Sequence, residues 1–506
     1  MVDNFLGRVP CCGVKKLKIA EESVKMALRA LGYGALGGFV TLVVVAIVVL
    51  EKRPDLSIWH EVDLDEEFTR HSEVDDFAGY LALEDRLFKQ LEEEVYAKTG
   101  SAGEEVVNRY RHGSISDPAR WKRNWNRTFE FKADAPKAGV LLLHGMSDSP
   151  YSLRTIGGVL HQRGATVVGL RIPGHGTAPS GLVRVHWKDM SAAVRLAAEH
   201  LKNEVGGAPL YIVGYSNGGA LAVEYALEAQ EDASMPRVSG LVLFSPEIGV
   251  SPAAALAVWQ GRMGRWFGLH KLAWNSIKLE YDPFKYGSFA VNAGDQAYRL
   301  TKEIAKRIER LNKQGKMDGF PRVLAFQSAV DATVSVPALV NNLFSKLPEG
   351  GHELVLVDVN RKAKIENLLT NDPAEELGKL LEKSGLRFTV SVLTNRKEGG
   401  KPLEDIIIHR HYPDGRTEEI DPGLRWPSGM YSLSHVALPF PESDRLYGSG
   451  GDNTAGNTPV LTLGNLALRG ERGAIRISPG DMLRQRWNPF YSLFEKRTVQ
   501  FMGLEE

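Results

Sequence analysis

Residues 209–230 read PLYIVGYSNGGALAVEYALEAQ. An apolar run, Leu210 to Val213, passes directly into Gly214-Tyr215-Ser216-Asn217-Gly218, and a helical stretch from Gly219 to Gln230 follows. A strand that is apolar throughout is one buried on both faces, as in a parallel sheet covered by helices. G-x-S-x-G set between such a strand and a helix is the pattern of a nucleophile elbow. The turn is sharp and its backbone strained, and the elements on either side pack closely, so glycines flank it. It lifts the Ser216 hydroxyl clear of the sheet and aims the N–H of Asn217 at the same point.

The same alternation extends outward. GVLLLHG (139–145) precedes a helical stretch at Leu153–Arg163, and ATVVGLRIPG (165–174) precedes another at Met190–Val205. VSGLVLFSP (238–246) is a further run of this kind. Strand and helix in turn predict an α/β domain, doubly wound around a mostly parallel sheet. Functional groups then collect at the carboxyl ends of the strands. After Ile248 the pattern breaks. Residues 249–318 hold Trp259, Trp266, Trp274, Tyr281 and Tyr286 but no strand run, and end in an amphipathic helix, Thr301–Lys316. They read as a lid inserted between strands. Its cations Lys302, Lys306, Arg307, Arg310, Lys313 and Lys316 suit either a solvated face or contact with anionic lipid. RVLAFQSA (322–329) and HELVLVDVN (352–360) resume the sheet. A second insertion, 361–430, contains a helix at 372–384 and two strands, LRFTVSVLTN (386–395) and DIIIHRHY (405–412). The domain is expected over 136–506.

Upstream, Leu31 to Leu50 reads LGYGALGGFVTLVVVAIVVL, without a charge. A bilayer-spanning helix needs about 20 such residues. No small-residue cleavage site follows, only Glu51-Lys52-Arg53-Pro54, so the stretch reads as a retained transmembrane helix rather than a signal peptide. Residues 1–30 are basic, with Lys15, Lys16, Lys18, Lys25 and Arg29 near the span. This predicts a single-pass protein with a cytoplasmic N-terminus and an extracytoplasmic catalytic domain, periplasmic in a bacterium. Gly34 and Gly38 have the spacing that packs two such helices into a homodimer. Cys11 and Cys12 are the chain's two cysteines. They are candidates for acylation and leave no disulfide framework or cysteine metal site downstream. Residues 51–135 form an acidic stalk or lead-in, with Phe77, Leu81, Phe88, Leu91 and Val95 at helical spacing along the globular domain. Asn126-Arg127-Thr128 is a glycosylation sequon.

Lysine plus arginine equals aspartate plus glutamate, 62 each, which gives nucleic acid no basic footprint to bind. No dinucleotide, phosphate-loop or metal motif is present, and no cofactor is expected. His409 and His411 share a strand face but lack a third ligand.

A serine needs a base, usually a histidine held by a carboxylate, and in this architecture the chain order is Ser, acid, His. Asp331, beyond the end of a late strand, is the leading acid; Asp358, inside the next run, is its rival. Of the histidines that follow, His352 begins a strand at the wrong end of the sheet. His435, in SLSHVALPFP, is the leading base. The oxyanion of a tetrahedral intermediate needs two donors: the N–H of Asn217 and, from the loop His144-Gly145-Met146-Ser147, that of Met146. His144 reads as a brace for that loop, and His175 as part of another tight turn.

LLLHGMSDSPYSLR, RIPGHGT, GYSNGG, an Asp after a late strand and SHVALPF together resemble the bacterial carboxylesterase and monoacylglycerol lipase branch of the α/β hydrolases, over roughly 138–345 and 430–500. The resemblance implies Ser216 as nucleophile, Asp331 as acid, His435 as base, and Met146 and Asn217 as oxyanion donors. Compact members place the histidine soon after the last long strand, whereas here it lies beyond the second insertion. The expected substrate is a carboxylic ester, of acyl-lipid type such as a monoacylglycerol. Acyl transfer or thioester cleavage by the same triad is the alternative, and a non-catalytic binding role for the scaffold is a third reading.

Overall fold

The computed structural model describes residues 51–103, 105–249, 270–331, 333–364, 385–450 and 484–505, with parts of 24–45, 366–382 and 454–480. The chain divides into two compact units, Met1–Asp55 and Leu56–Glu506. In the first, the described residues of Leu31–Leu50 are helical and exposed, while residues 39, 42, 43 and 46–50 lie outside the description, as do Cys11 and Cys12. Among the described residues no helix is long and apolar enough to cross a membrane, so the expected span is not shown as one.

The second unit is built on a ten-stranded sheet. Its strands along the chain are β1 (Phe129–Phe131), β2 (Ala138–Leu143), β3 (Ala165–Leu170), β4 (Leu210–Tyr215) and β5 (Gly240–Phe244). A separate antiparallel pair, β6 (Trp274–Ser276) and β7 (Phe289–Ala290), follows. The sheet continues with β8 (Arg322–Ser328), β9 (Glu353–Val357), β10 (Thr389–Glu398), β11 (Lys401–His411) and β12 (Thr417–Ile420). The spatial order is β1-β3-β2-β4-β5-β8-β9-β10-β11-β12. From β3 to β10 every neighbouring pair is parallel. β1, β11 and β12 add antiparallel edges. The second insertion therefore extends the sheet. β10 runs parallel to β9, and Gly399 and Gly400, both at positive φ, make the tight turn into β11.

Each central strand is buried on both faces, as continuous apolar runs require. In β2, Leu141 and Leu143 enter one core cluster while Val140 and Leu142 enter another. Helices α1 (Phe77–Leu91), α2 (Arg154–Gln162), α3 (Trp187–Val205), α4 (Asn217–Glu231), α5 (Val291–Lys313), α6 (Pro373–Leu381) and α7 (Tyr491–Met502) cover them. α3, α4 and α5 bury their apolar residues in the first cluster, and α2 and α7 bury theirs in the second.

The acidic lead-in belongs to this unit. Arg171, just beyond β3, is 1% exposed. Its guanidinium donates to both Glu67 oxygens, at 2.9 and 3.0 Å, and to Glu84 Oε2 at 3.1 Å. Thr128 Oγ1 also donates to Glu84 Oε2, at 2.7 Å. Part of the acidity is thus internal, gathered around a buried guanidinium that has to be paired.

The segment 249–318 is tied to the domain from residue 270 onward. Leu300, Ile304, Ile308 and Leu311 of α5 sit in the core. Arg307 lies among Glu224, Glu228, Glu231 and Glu303, and Arg310 pairs with Glu231 at 2.7 Å. Two of the cations expected to face solvent or lipid are turned onto α4 instead. Trp259 and Trp266 lie outside the described residues. The sequon is closed off as well. Asn126 is 1% exposed, accepts from Arg109 Nη2 at 3.1 Å and donates to the carbonyl of Pro283 at 3.0 Å.

Candidate active site

Three non-glycine residues with positive φ stand at the carboxyl edge of the sheet: Ser147 after β2, Ser216 after β4 and Ser245 after β5. Left-handed backbone at a serine costs energy and persists only where the surroundings enforce it. At Ser216 (φ 53°, ψ −117°) the enforcement is visible. Its N–H donates to the carbonyl of Phe244 at 2.9 Å, and its own carbonyl accepts from Gly219 at 2.9 Å and Glu247 at 3.0 Å. Glycine is required at 214, where a Cβ would stand 2.6 Å from the Gly218 carbonyl. Ser216 is 8% exposed. Asn217 is the first residue of α4, so its N–H has no carbonyl one turn back to bond.

The loop after β2 closes against the elbow. A Cβ on Gly145 would lie 3.2 Å from Ser216 Cβ, so only glycine lets the backbone approach so near. His144 braces this loop. Its Nε2 accepts from the N–H of Ile172 at 3.0 Å, which leaves Nδ1 to donate to the carbonyl of Gly145 at 2.9 Å. Burial, with His175 close by, drives its pKa well below the ordinary value. It is therefore a neutral strut, its one ring proton held on Nδ1 by the Gly145 carbonyl.

Asp331 and His435 are brought together across the second insertion. His435 Nδ1 donates to Asp331 Oδ2 at 2.8 Å. Asp331 also accepts from Gln327 Nε2 at 2.9 Å and from the N–H groups of Thr333 at 2.8 Å and Val334 at 3.1 Å. Burial pushes this carboxyl toward neutrality. Electrostatic attraction to His435, the hydrogen bond from that ring and the two backbone donors outweigh it and hold the pKa below the usual value. With Nδ1 as donor, His435 presents Nε2 as an acceptor. The ring lies beside Tyr215, the residue before Ser216, with centroids 5.5 Å apart. A strained serine, a carboxylate-held imidazole and a glycine-lined loop thus share one edge of the sheet.

The rival residues have other duties. Asp358 makes a two-pronged contact with Arg361, at 2.7 and 2.9 Å. His352 accepts from the N–H of Val323 at 3.1 Å at the opposite end of the sheet, and burial lowers its pKa to about 4. His409 sits 3.4 Å from Glu419 on the edge strands. Among the described residues no group of three or more His, Cys, Asp or Glu could hold a metal.

One feature has no sequence signal. Glu247 follows β5 by three residues, and its Oε2 is buried without a hydrogen-bond partner. Burial, then the neighbouring charge of Asp331, raises its pKa to about 7. It arises when residues distant in sequence meet, which no local pattern announces.

Residues 134–358 match the family model for serine aminopeptidase, S33. Among curated proteins, a thermostable monoacylglycerol lipase from Bacillus sp. (strain H-257) is 29% identical over 27% of this chain and 51% of its own length. The phospholipase YtpA of Bacillus subtilis is 27% identical over 24% of this chain and 44% of its own. The chain thus spans about half the length of the curated relatives it matches. Among solved structures, a monoacylglycerol lipase from Paleococcus ferrophilus aligns at 19% identity with a TM-score of 0.35, covering 46% of this chain and 88% of that one. The family match and the mostly parallel sheet support an α/β-hydrolase fold, and part of the chain is similar to a monoacylglycerol lipase and a phospholipase.

Proposed function

We propose that this protein is a membrane-anchored serine hydrolase that cleaves carboxylic esters of acyl-lipid type, such as monoacylglycerols, through an acyl-enzyme on Ser216. The observation that carries the reading is the His435–Asp331 hydrogen bond, formed over a long separation beside a serine held in strained backbone. In the reaction, Ser216 Oγ attacks the ester carbonyl carbon while His435 Nε2 takes its proton. Asp331 stabilises the imidazolium. The N–H groups of Met146 and Asn217 receive the oxyanion. The alcohol leaves with the proton from His435. Water, deprotonated by the same nitrogen, then releases the acid and restores Ser216. The relatives named a monoacylglycerol lipase and a phospholipase support an ester of lipid type. The anchor and the extracytoplasmic placement rest on the charge-free stretch Leu31–Leu50 and its basic N-terminal flank.

The test uses the full chain. A fluorophosphonate probe should label wild type and not Ser216→Ala, and ester hydrolysis should vanish with the label. Asp331→Asn should keep the fold but lower kcat by a factor on the order of 10³–10⁴, because the imidazole loses its orienting acceptor. Equal labelling of wild type and Ser216→Ala would remove the assignment.

A further inference from the structure

Three consecutive residues between β6 and β7 lie along the loop that follows β2. Tyr286 donates its N–H to the carbonyl of Ser147 at 2.8 Å. Lys285 Nζ lies 3.7 Å from Asp148 Oδ2. Phe284 stacks on Tyr151, with ring centroids 4.4 Å apart. Residues 284, 285 and 286 thus meet 151, 148 and 147 in reverse order, as a strap across the loop. The strap is itself fixed. Asp282 Oδ1 accepts from the N–H groups of Phe284 and Lys285 at 2.9 and 3.1 Å, and Oδ2 accepts from the Tyr447 hydroxyl at 2.5 Å. The Tyr286 hydroxyl accepts from the N–H of Thr177 at 2.8 Å.

The loop under the strap carries Met146. The carbonyl of Gly145 accepts from His144 Nδ1 at 2.9 Å and from the N–H of Asp148 at 3.2 Å. In a trans peptide the N–H points away from the preceding carbonyl, so these two bonds aim the N–H of Met146. Asp148 joins the two halves of the arrangement: its N–H fixes that peptide, and its carboxylate meets the strap. Ser147, between Met146 and Asp148, has φ 63°, a conformation that persists only where the surroundings enforce it. Asp148 is 2% exposed. Burial raises its pKa to about 6, while Lys285 and the N–H of Ser149 pull the other way. The carboxyl is therefore ionised at neutral pH. A buried carboxylate has to be paired, and Lys285 supplies the cation.

We propose that Lys285 is a positioning residue for ester hydrolysis: by pairing with Asp148 it keeps the strap seated on the loop and the N–H of Met146 aimed at the oxyanion. This rests on the ester-hydrolase reading above. The oxyanion forms only after Ser216 has attacked. Loss of aim therefore slows the chemical step and leaves binding of the intact ester unchanged.

The test measures hydrolysis of p-nitrophenyl butyrate by the full chain, with each rate divided by the sites that a fluorophosphonate titrates at saturation. Lys285→Met should lower kcat by about ten- to a hundredfold, less than the loss of a whole oxyanion donor, and leave KM within about twofold. An alkyl trifluoromethyl ketone forms an adduct on Ser216 whose oxyanion occupies the same position. Its affinity should fall by the same factor as kcat/KM. Lys285→Arg should recover most of the loss. Asp148→Asn keeps the shape, removes the charge and should match Lys285→Met. The double variant should be no slower than either single one, because both remove the same pair. Lys313→Gln removes an exposed cation paired with Glu309 on α5 and should change nothing. Unchanged kcat, a rise in KM alone, or ketone affinity that holds while kcat falls overturns the proposal. Should Lys285→Met fail to fold, Asp148→Asn decides by the same outcomes. Wild type that is labelled and active, with indifferent Lys285 variants, sinks only the strap. Wild type that is neither labelled nor active sinks the hydrolase reading itself.

Discussion

Glu247 gives the site its own pH dependence. Its carboxyl titrates at about 7 in the folded protein against 4.5 for an ordinary glutamate. The native state therefore holds a proton that the unfolded chain releases at lower pH. The associated stability is fully present below about 4.5 and is lost as pH rises through about 7. Glu247→Gln keeps the shape and removes the titration. Urea unfolding of this variant should fall less steeply between about pH 5 and 8 than that of wild type, by at most about 3 kcal/mol. Parallel curves would show that Glu247 does not change charge in this range. The contrast with Ser216 is instructive about reading residues from sequence. Ser216 is legible because strain, glycines and strand all lie within five positions. Glu247 is an unremarkable acid after a strand until β8 brings Asp331 beside it.

At the scale of elements, the clearest linkage is Arg171 beyond β3 with Glu67 and Glu84 of the lead-in. Arg171→Leu leaves two carboxylates without their partner, and Glu84 is itself buried. It should destabilise the Leu56–Glu506 unit by about 3–5 kcal/mol, measured by denaturant unfolding. The loss should also expose residues 56–128 to protease before the rest of the unit. A loss near zero would mean that the acids are satisfied by water. The central strands of the sheet were readable from their apolar runs, since a strand buried on both faces has no polar phase to disguise it, whereas the short edge strand at Thr417–Ile420 left no such run. The lead-in and α5 were harder, because their docking depends on charges. The cations of α5 read as a solvated or lipid-facing surface, yet Arg307 and Arg310 meet the acids of α4. Periodicity finds the apolar face of a helix but does not reveal which charged partners its other face will meet.

For the molecule as a whole, the division at Asp55 gives a direct test of anchoring. A chain beginning at Leu56 should be recovered in the soluble fraction with its fluorophosphonate label intact, while the full chain sediments with membranes. Equal partition of the two would remove the anchor from the proposal. The path of the chain through the sheet has a further effect, on timing. Ser216 emerges from the ribosome before Asp331, and Asp331 well before His435. The last helix, α7, then stacks Phe494 on Phe326 at 4.3 Å and bonds Tyr211 through the carbonyl of Met502 at 3.1 Å. β4 and β8, the strands that lead to Ser216 and Asp331, are thus packed by residues made well after them. A polypeptide that stops short of His435 presents Ser216 without His435 and without the packing of α7 on β4 and β8. On the proposed reading such a polypeptide cannot turn over an ester, so activity would wait until His435 and α7 have been made.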